Sequence, residues 1–152
     1  ELKEAIDTAL KEDNQLIIEA ALVGKEISVG AYVINGEVMI LPITEIISEN
    51  DFFDYDAKYN GKSKEITPAR LDATTVEEVH KNVKKLYQQL GLRGVCRSEY
   101  IIVEGIPHLL EVNTIPGLTA ASLIPQQLSA AGIELADFFE SLLIEAMKKP
   151  LI

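Results

Sequence analysis

Residues 94–123 read G-V-C-R-S-E-Y-I-I-V-E-G-I-P-H-L-L-E-V-N-T-I-P-G-L-T-A-A-S-L. Two runs rich in β-branched and aliphatic residues flank Glu104-Gly105, which predicts a β-hairpin. Along a strand, residues i and i+2 share one side of the sheet. Arg97 and Glu99 therefore point one way on the first strand, and Glu111 and Asn113 share a side on the second. The turn decides whether the two pairs meet. A two-residue loop at Glu104-Gly105 sets Glu99 opposite Leu110 and sends the carboxylates to opposite faces. A three-residue loop, Val103-Glu104-Gly105, pairs Ile102 with Ile106, Arg97 with Glu111 and Glu99 with Leu109, with Gly105 at the left-handed position. The three-residue loop is the expected one, because the other register buries one charged pair or the other.

On that reading two carboxylates and an amide oxygen share a face with an arginine. Hard oxygen donors of this kind suit magnesium, which keeps waters and is commonly shared with substrate phosphates. Like charges this close repel unless a cation lies between them. The guanidinium of Arg97 is a permanent, planar donor suited to a phosphoryl group in transfer. The same four residues also read as an exposed strand pair with a cross-strand Arg97–Glu111 ion pair. The chain after Asn113 favours a site. Its segment T-I-P-G-L-T-A-A-S-L is a loop by Pro116 and Gly117, and Ser122 is placed to cap an apolar helix from Leu123 to Ala131. Free N–H groups at a helix start bind carboxylates.

The run L-E-V-N-T-I-P-G-L-T-A-A-S-L-I-P, residues 110–125, resembles the C-terminal signature of the D-alanine–D-alanine ligase family of ATP-grasp enzymes, with the R-x-D strand before it. The resemblance implies ATP-dependent ligation of two D-alanines through an acyl phosphate, for peptidoglycan synthesis in the cytoplasm. It implies ATP and two magnesium (or manganese) ions, with Glu99, Glu111 and Asn113 as metal ligands. Arg97 would contact the phosphoryl group, Gly117 would offer backbone to the oxyanion, and Ser122 and Leu123 would hold the carboxylate of the second D-alanine. The chain departs from the family pattern at Glu99, where the family has Asp, and at Ser98, where it has an aliphatic residue. A sibling ligase that joins D-alanine to D-lactate or D-serine, and a non-catalytic ATP-binding module, are the alternatives.

Two further stretches acquire meaning from this resemblance. E-A-A-L-V-G-K-E, residues 19–26, alone reads as surface glutamates, and is similar to the family's adenine hinge. By resemblance, Glu19 and the backbone of Ala20, Ala21 and Leu22 would contact adenine, and Glu26 would accept from the ribose hydroxyls. F-F-D-Y-D-A-K-Y, residues 52–59, alone reads as a lid or a packed loop. By resemblance, Lys58 would approach the ATP γ-phosphate and Tyr59 would hold the loop shut.

Composition sets the outer bounds. The 152 residues carry 47% hydrophobic and 25% charged side chains, enough for one soluble core, and residues 1–152 are expected to form a single domain. A net charge of −10 argues against nucleic acid or an anionic membrane as partner. No apolar run reaches the ~18 residues of a membrane span. Cys96 is alone, so no disulfide framework is expected, and it reads as a buried small hydrophobe. The start at Glu1 suggests a piece of a longer protein. Its N-terminal and central domains would then be missing partners, and the full-length protein would be a homodimer.

The remaining expectations are α+β: a largely antiparallel sheet with flanking helices, as in an ATP-grasp C-terminal lobe. Helical spacing runs from Glu1 to Glu12. Strands are expected at Gln15–Leu22, Glu26–Ile34 and Glu37–Ile47, with a hairpin turn at Asn35-Gly36, and a short strand at Ser63–Thr67. Thr75-x-x-Glu78 reads as a capping box for a helix that presents Val76, Val79, Val83, Leu86 and Leu90 and stops at Gly91. Two helices, around 122–131 and 135–148, close the chain. Leu135, Phe138, Phe139, Leu142 and Leu143 read as a core stripe, His80 as solvated, and His108 as lying on the face opposite Glu111.

Overall fold

The computed structural model describes residues 1–48 and 63–148; the expected lid with Lys58 and Tyr59 lies outside them. Among the described residues the architecture is α+β. Helix α1 (Leu2–Ala9) leads into chain without regular structure, then β1 (Lys25–Ile34), β2 (Glu37–Ile40), β3 (Thr44–Ser48) and β4 (Ser63–Ile66). Helix α2 (Ala73–Gln89), the hairpin β5 (Cys96–Val103) and β6 (Ile106–Asn113), and helices α3 (Leu123–Ala130) and α4 (Leu135–Lys148) complete it. The sheet order is β4-β3-β1-β5-β6, with β2 also against β1, and every pairing is antiparallel.

Alternation along the central strands assigns the two faces. Ile27, Val29 and Ala31 of β1 and Cys96, Tyr100 and Ile102 of β5 pack against Val79, Val83 and Tyr87 of α2. On the other face, Tyr32 and Leu41 meet Ile124 and Leu128 of α3 and Phe138 of α4. Tyr32 and Phe138 form a T-shaped pair with centroids 5.0 Å apart. Burial pushes the Cys96 thiol up to about 11, as suits a small core hydrophobe.

Several local expectations are corrected. Gln15–Leu22 forms no strand: no described strand runs beside it to supply partners for its N–H and C=O groups, and Ile17 and Ile18 are exposed. The return from the Asn35-Gly36 turn is two strands instead of one, because Pro42 has no N–H to donate and breaks the ladder between β2 and β3. The cap of α2 is Asp72, whose carboxylate accepts from Thr75 N at 2.9 Å and from the Thr75 hydroxyl at 2.7 Å. Thr75 is thus a buried donor inside the first turn, and Glu78 pairs with Lys81 instead. Leu90 is exposed beyond the buried stripe. His80 is half-buried, and burial, with Lys84 adding to it, holds its pKa below the ordinary value. In α4 only the side bearing Phe138 and Leu142 packs on the sheet; Leu135, Phe139 and Leu143 are exposed.

Candidate functional site

The hairpin closes through a two-residue turn. Glu104 and Gly105 have φ of 51° and 81°, and Val103 pairs with Ile106. This is the loop that by itself would place Glu99 opposite Leu110. An irregularity between Glu99 and Tyr100 undoes that consequence. Tyr100 pairs with Leu109 and Glu99 with Glu111, so β6 carries one extra residue, Leu110. Arg97 then stands opposite Asn113. The four side chains share one face as expected, but with different partners from those of the three-residue loop. The register places His108 opposite Ile101, two residues from Glu99 on β5, which corrects its expected position on the far face. Ser98 does lie on the far face and is buried at the α2 side of the sheet, between Val29 and Val112.

Arg97 and Glu99 are both buried, and Arg97 Nη2 donates to Glu99 Oε1 at 2.6 Å. The Nε of Arg97 has no hydrogen-bond partner among the described residues. Glu111 is exposed, and Asn113 is half-buried, its Oδ1 accepting from Ile115 N at 3.0 Å. An amide oxygen keeps a second lone pair after one such bond. No group of three His, Cys, Asp or Glu side chains gathers for a metal among the described residues. The candidate set is two carboxylates and one amide oxygen, an all-oxygen donor set that fits a hard divalent cation with water or phosphate completing its shell.

Beyond Asn113 the chain turns through Pro116 and Gly117 toward α3. Ser122 occupies the N-cap position, but its side chain makes no cap bond. Its Oγ accepts from Thr119 N at 3.2 Å and lies 2.9 Å from the Thr119 hydroxyl, which closes the loop on itself. The first-turn N–H groups of α3 thus receive no bond from the Ser122 side chain. A Cβ on Gly117 would lie 2.8 Å from Ser122 Oγ, so any side chain here would have to displace that hydroxyl. Leu123 is buried at the helix start.

Glu19, Ala20 and Ala21 are exposed and lie outside any helix or strand, and Leu22 is half-buried. A Cβ on Gly24 would collide with the carbonyl of Ile102, so the end of the segment is held against β5. Glu26 comes next at the start of β1, half-buried, beside Ile46 and Ile101 and on the face of Glu99.

Two supporting residues are not apparent from the sequence. Gln127 is fully buried; its Oε1 accepts from Gly30 N, and its Nε2 donates to Ser28 O and Thr44 Oγ1, each at 3.0 Å. It fixes α3 across β1. A polar residue four after Leu123, on the apolar side of its helix, was the available signal. Ser28, opposite Glu99, is the other. Nothing in the alternation of β1 marks it.

An antiparallel sheet with an acidic, amide and arginine face, and a glycine loop feeding a helix start beside it, is the α+β arrangement expected of the C-terminal lobe of an ATP-grasp ligase. The chain belongs to the family described as D-ala D-ala ligase C-terminus, whose model matches residues 1–144. It is 57% identical over 139 residues to the D-alanine–D-alanine ligase of Flavobacterium johnsoniae, a match that covers 91% of this chain and 43% of that protein. A crystal structure of D-alanine–D-alanine ligase from Bacillus anthracis superposes with a TM-score of 0.80 at 32% identity, over 97% of this chain and 48% of the other. The same enzyme complexed with ATP gives 0.79 at 28% identity, over 97% and 46%. The chain thus spans less than half the length of these relatives.

Proposed function

We propose that this chain is the nucleotide-gripping lobe of a longer D-alanine–D-alanine ligase, acting as one domain of it. The observation that carries the reading is the single face shared by Arg97, Glu99, Glu111 and Asn113, set directly before the glycine loop and α3. The Bacillus anthracis relative was crystallised with ATP, which supports ATP as the nucleotide here. Glu19 to Leu22 would then border the adenine, and Glu26 the ribose.

In this reading the carboxylate oxygen of one D-alanine attacks the γ-phosphorus and ADP leaves. The amine of the second D-alanine attacks the acyl carbon, phosphate leaves, and the nitrogen loses its proton. Glu99, Glu111 and Asn113 would hold two magnesium or manganese ions, which when bound neutralise charge on the phosphate oxygens. Arg97 turns its donor fork to the transferring phosphoryl group, where charge develops. Gly117 presents backbone to the tetrahedral oxyanion. Ser122 and Leu123, at the start of α3, receive the carboxylate of the second D-alanine. Lys58 would neutralise the γ-phosphate and Tyr59 would latch the loop. The product serves peptidoglycan synthesis in the cytoplasm, and the whole enzyme works as a homodimer.

The test uses full-length protein with ATP, magnesium and D-alanine, with ADP release measured and the peptide identified. Release of D-alanyl-D-alanine that Glu111→Gln abolishes is the expected result. ATP binding without any acyl phosphate would leave a binding module instead, and D-alanyl-D-lactate or D-alanyl-D-serine as main product would move the enzyme to a sibling class. The chain alone, lacking the domains that cover the other side of the nucleotide, is expected to give no D-alanine-dependent ADP release.

A further inference from the structure

Ser28 sits in the middle of β1, paired with Thr44 of β3 on one side and Glu99 of β5 on the other. Residues directly opposite in antiparallel strands share a face, with Cβ atoms about 5 Å apart. The Ser28 side chain is therefore on the face of Arg97, Glu99, Glu111 and Asn113. It is fully buried, and its Oγ has no hydrogen-bond partner among the described residues. On the side away from Glu99 the polar groups are already matched. Gln127 takes the Ser28 carbonyl and the Thr44 hydroxyl, and Thr44 Oγ1 also lies 2.7 Å from Thr67 Oγ1. On the other side, the residue paired with Ser28 is Glu99, whose carboxylate is an anionic acceptor for the Ser28 hydroxyl.

That carboxylate is engaged by Arg97, at 2.6 Å. Under the function proposed above, on which this inference rests, Arg97 turns to a phosphoryl group and Glu99 to a divalent ion. Glu99 then gives up its donor in a buried place, where an unmatched carboxylate oxygen is costly. We propose that Ser28 is a positioning residue for Glu99: its hydroxyl donates to the carboxylate oxygen that the ion does not take, and so holds the ligand in its binding orientation. Hydrogen bonds to ligating carboxylates commonly contribute a ten- to hundred-fold gain in metal affinity.

The experiment uses the full-length protein with Mn2+ as probe, titrated by electron paramagnetic resonance in the presence of a non-hydrolysable ATP analogue. Metal-free affinity for that analogue is measured alongside. Ser28→Ala, which removes one oxygen and adds no bulk, is expected to weaken Mn2+ binding about ten-fold or more and to leave metal-free nucleotide affinity within about two-fold. Mn2+ affinity equal to wild type in Ser28→Ala would overturn the proposal. So would an equal loss in both affinities, since that marks a change in pocket shape and not in the carboxylate. If the wild-type protein itself takes up no Mn2+ with the nucleotide, the metal assignment behind the proposed function fails as well, which separates the two.

Discussion

Glu99 and Glu111 stand directly opposite each other across β5 and β6, and one extra residue in β6, Leu110, puts them there. The turn imposes one parity on the hairpin and the extra residue imposes the other. Beyond the irregularity, both carboxylates face the side of the sheet opposite α2. The arrangement places strain in the turn. Glu104 holds φ at 51°, a left-handed conformation that costs an ordinary side chain about 1–2 kcal/mol. Asn before Gly is the preferred pair at such a turn. Glu104→Asn is expected to stabilise the protein by about 0.5–1 kcal/mol in urea denaturation while leaving nucleotide affinity unchanged. A destabilised variant would show that Glu104 contributes something the turn geometry does not account for.

A second prediction concerns pH. Glu45 is buried on the α2 side of β3, where Arg70 donates to it through Nε at 2.9 Å and Nη2 at 2.6 Å, and Lys25 lies 3.5 Å away. The Arg70 hydrogen bonds hold its carboxyl at about 2, down from the ordinary 4.5. Its folded value is below its unfolded one, so the stabilisation is complete above about pH 4.5 and is lost as pH falls toward 2. Glu45→Gln should cost about 2 kcal/mol at pH 7, discounting for the exposed Arg70. The gap between variant and wild type should narrow as unfolding is tracked from pH 5 to pH 3. A gap that stays constant over that range would mean that the ion pair is not its source.

The parts of the fold that repeat a local rule were legible in the sequence. The hairpin at Asn35-Gly36, the stop of α2 at Gly91 and the last two helices arise from turn chemistry and periodicity, which act over a few residues. What escaped depends on partners distant in sequence. Gln15–Leu22 has the composition of a strand and no neighbour to pair with among the described residues. Asp72 outcompeted Thr75 as a cap because the helix starts one turn earlier than the capping box suggests. For the site, the shared face was legible and the pairing was not. The irregularity at Tyr100 restores the parity of a three-residue loop with a two-residue one, and no residue type in L-L-E announces it. Ser28 stands out through its pairing with Glu99 of β5, and Gln127 through its bonds from α3 to β1 and Thr44, relations invisible along a single strand or helix.

The loop before α3 provides a third prediction. Gly117 lies so close to Ser122 that an added methyl would meet its Oγ at 2.8 Å, and that oxygen is tied to Thr119. Gly117→Ala should push Ser122 away from the start of α3. If Ser122 and Leu123 receive the second D-alanine, its KM should rise about ten-fold, or about 1.4 kcal/mol. The KM for ATP should stay within about two-fold, because the four-residue face lies on the strands and not in the loop. Steady-state kinetics of the full-length enzyme, varying each substrate in turn, separates these effects. An equal rise in both would place Gly117 with the nucleotide.

Glu99 itself provides the last prediction. The motif that the sequence resembles carries Asp in place of Glu99, and that shorter side chain would withdraw the carboxylate by about 1.5 Å. In this protein the longer one reaches Arg97 Nη2 at 2.6 Å from a buried backbone position, with the extra residue Leu110 bringing Glu111 opposite it. Glu99→Asp should break the contact with Arg97 and misplace a metal ligand relative to Glu111. Misplacement of about 1 Å at a reacting centre can cost about a hundred-fold, so kcat of the full-length enzyme should fall roughly ten- to a hundred-fold. Mn2+ affinity should fall with it, since the same carboxylate is responsible for both. A variant that turns over faster than wild type would show the opposite: that glutamate is a handicap here, and that the 2.6 Å pair with Arg97 competes with the metal instead of preparing the ligand for it.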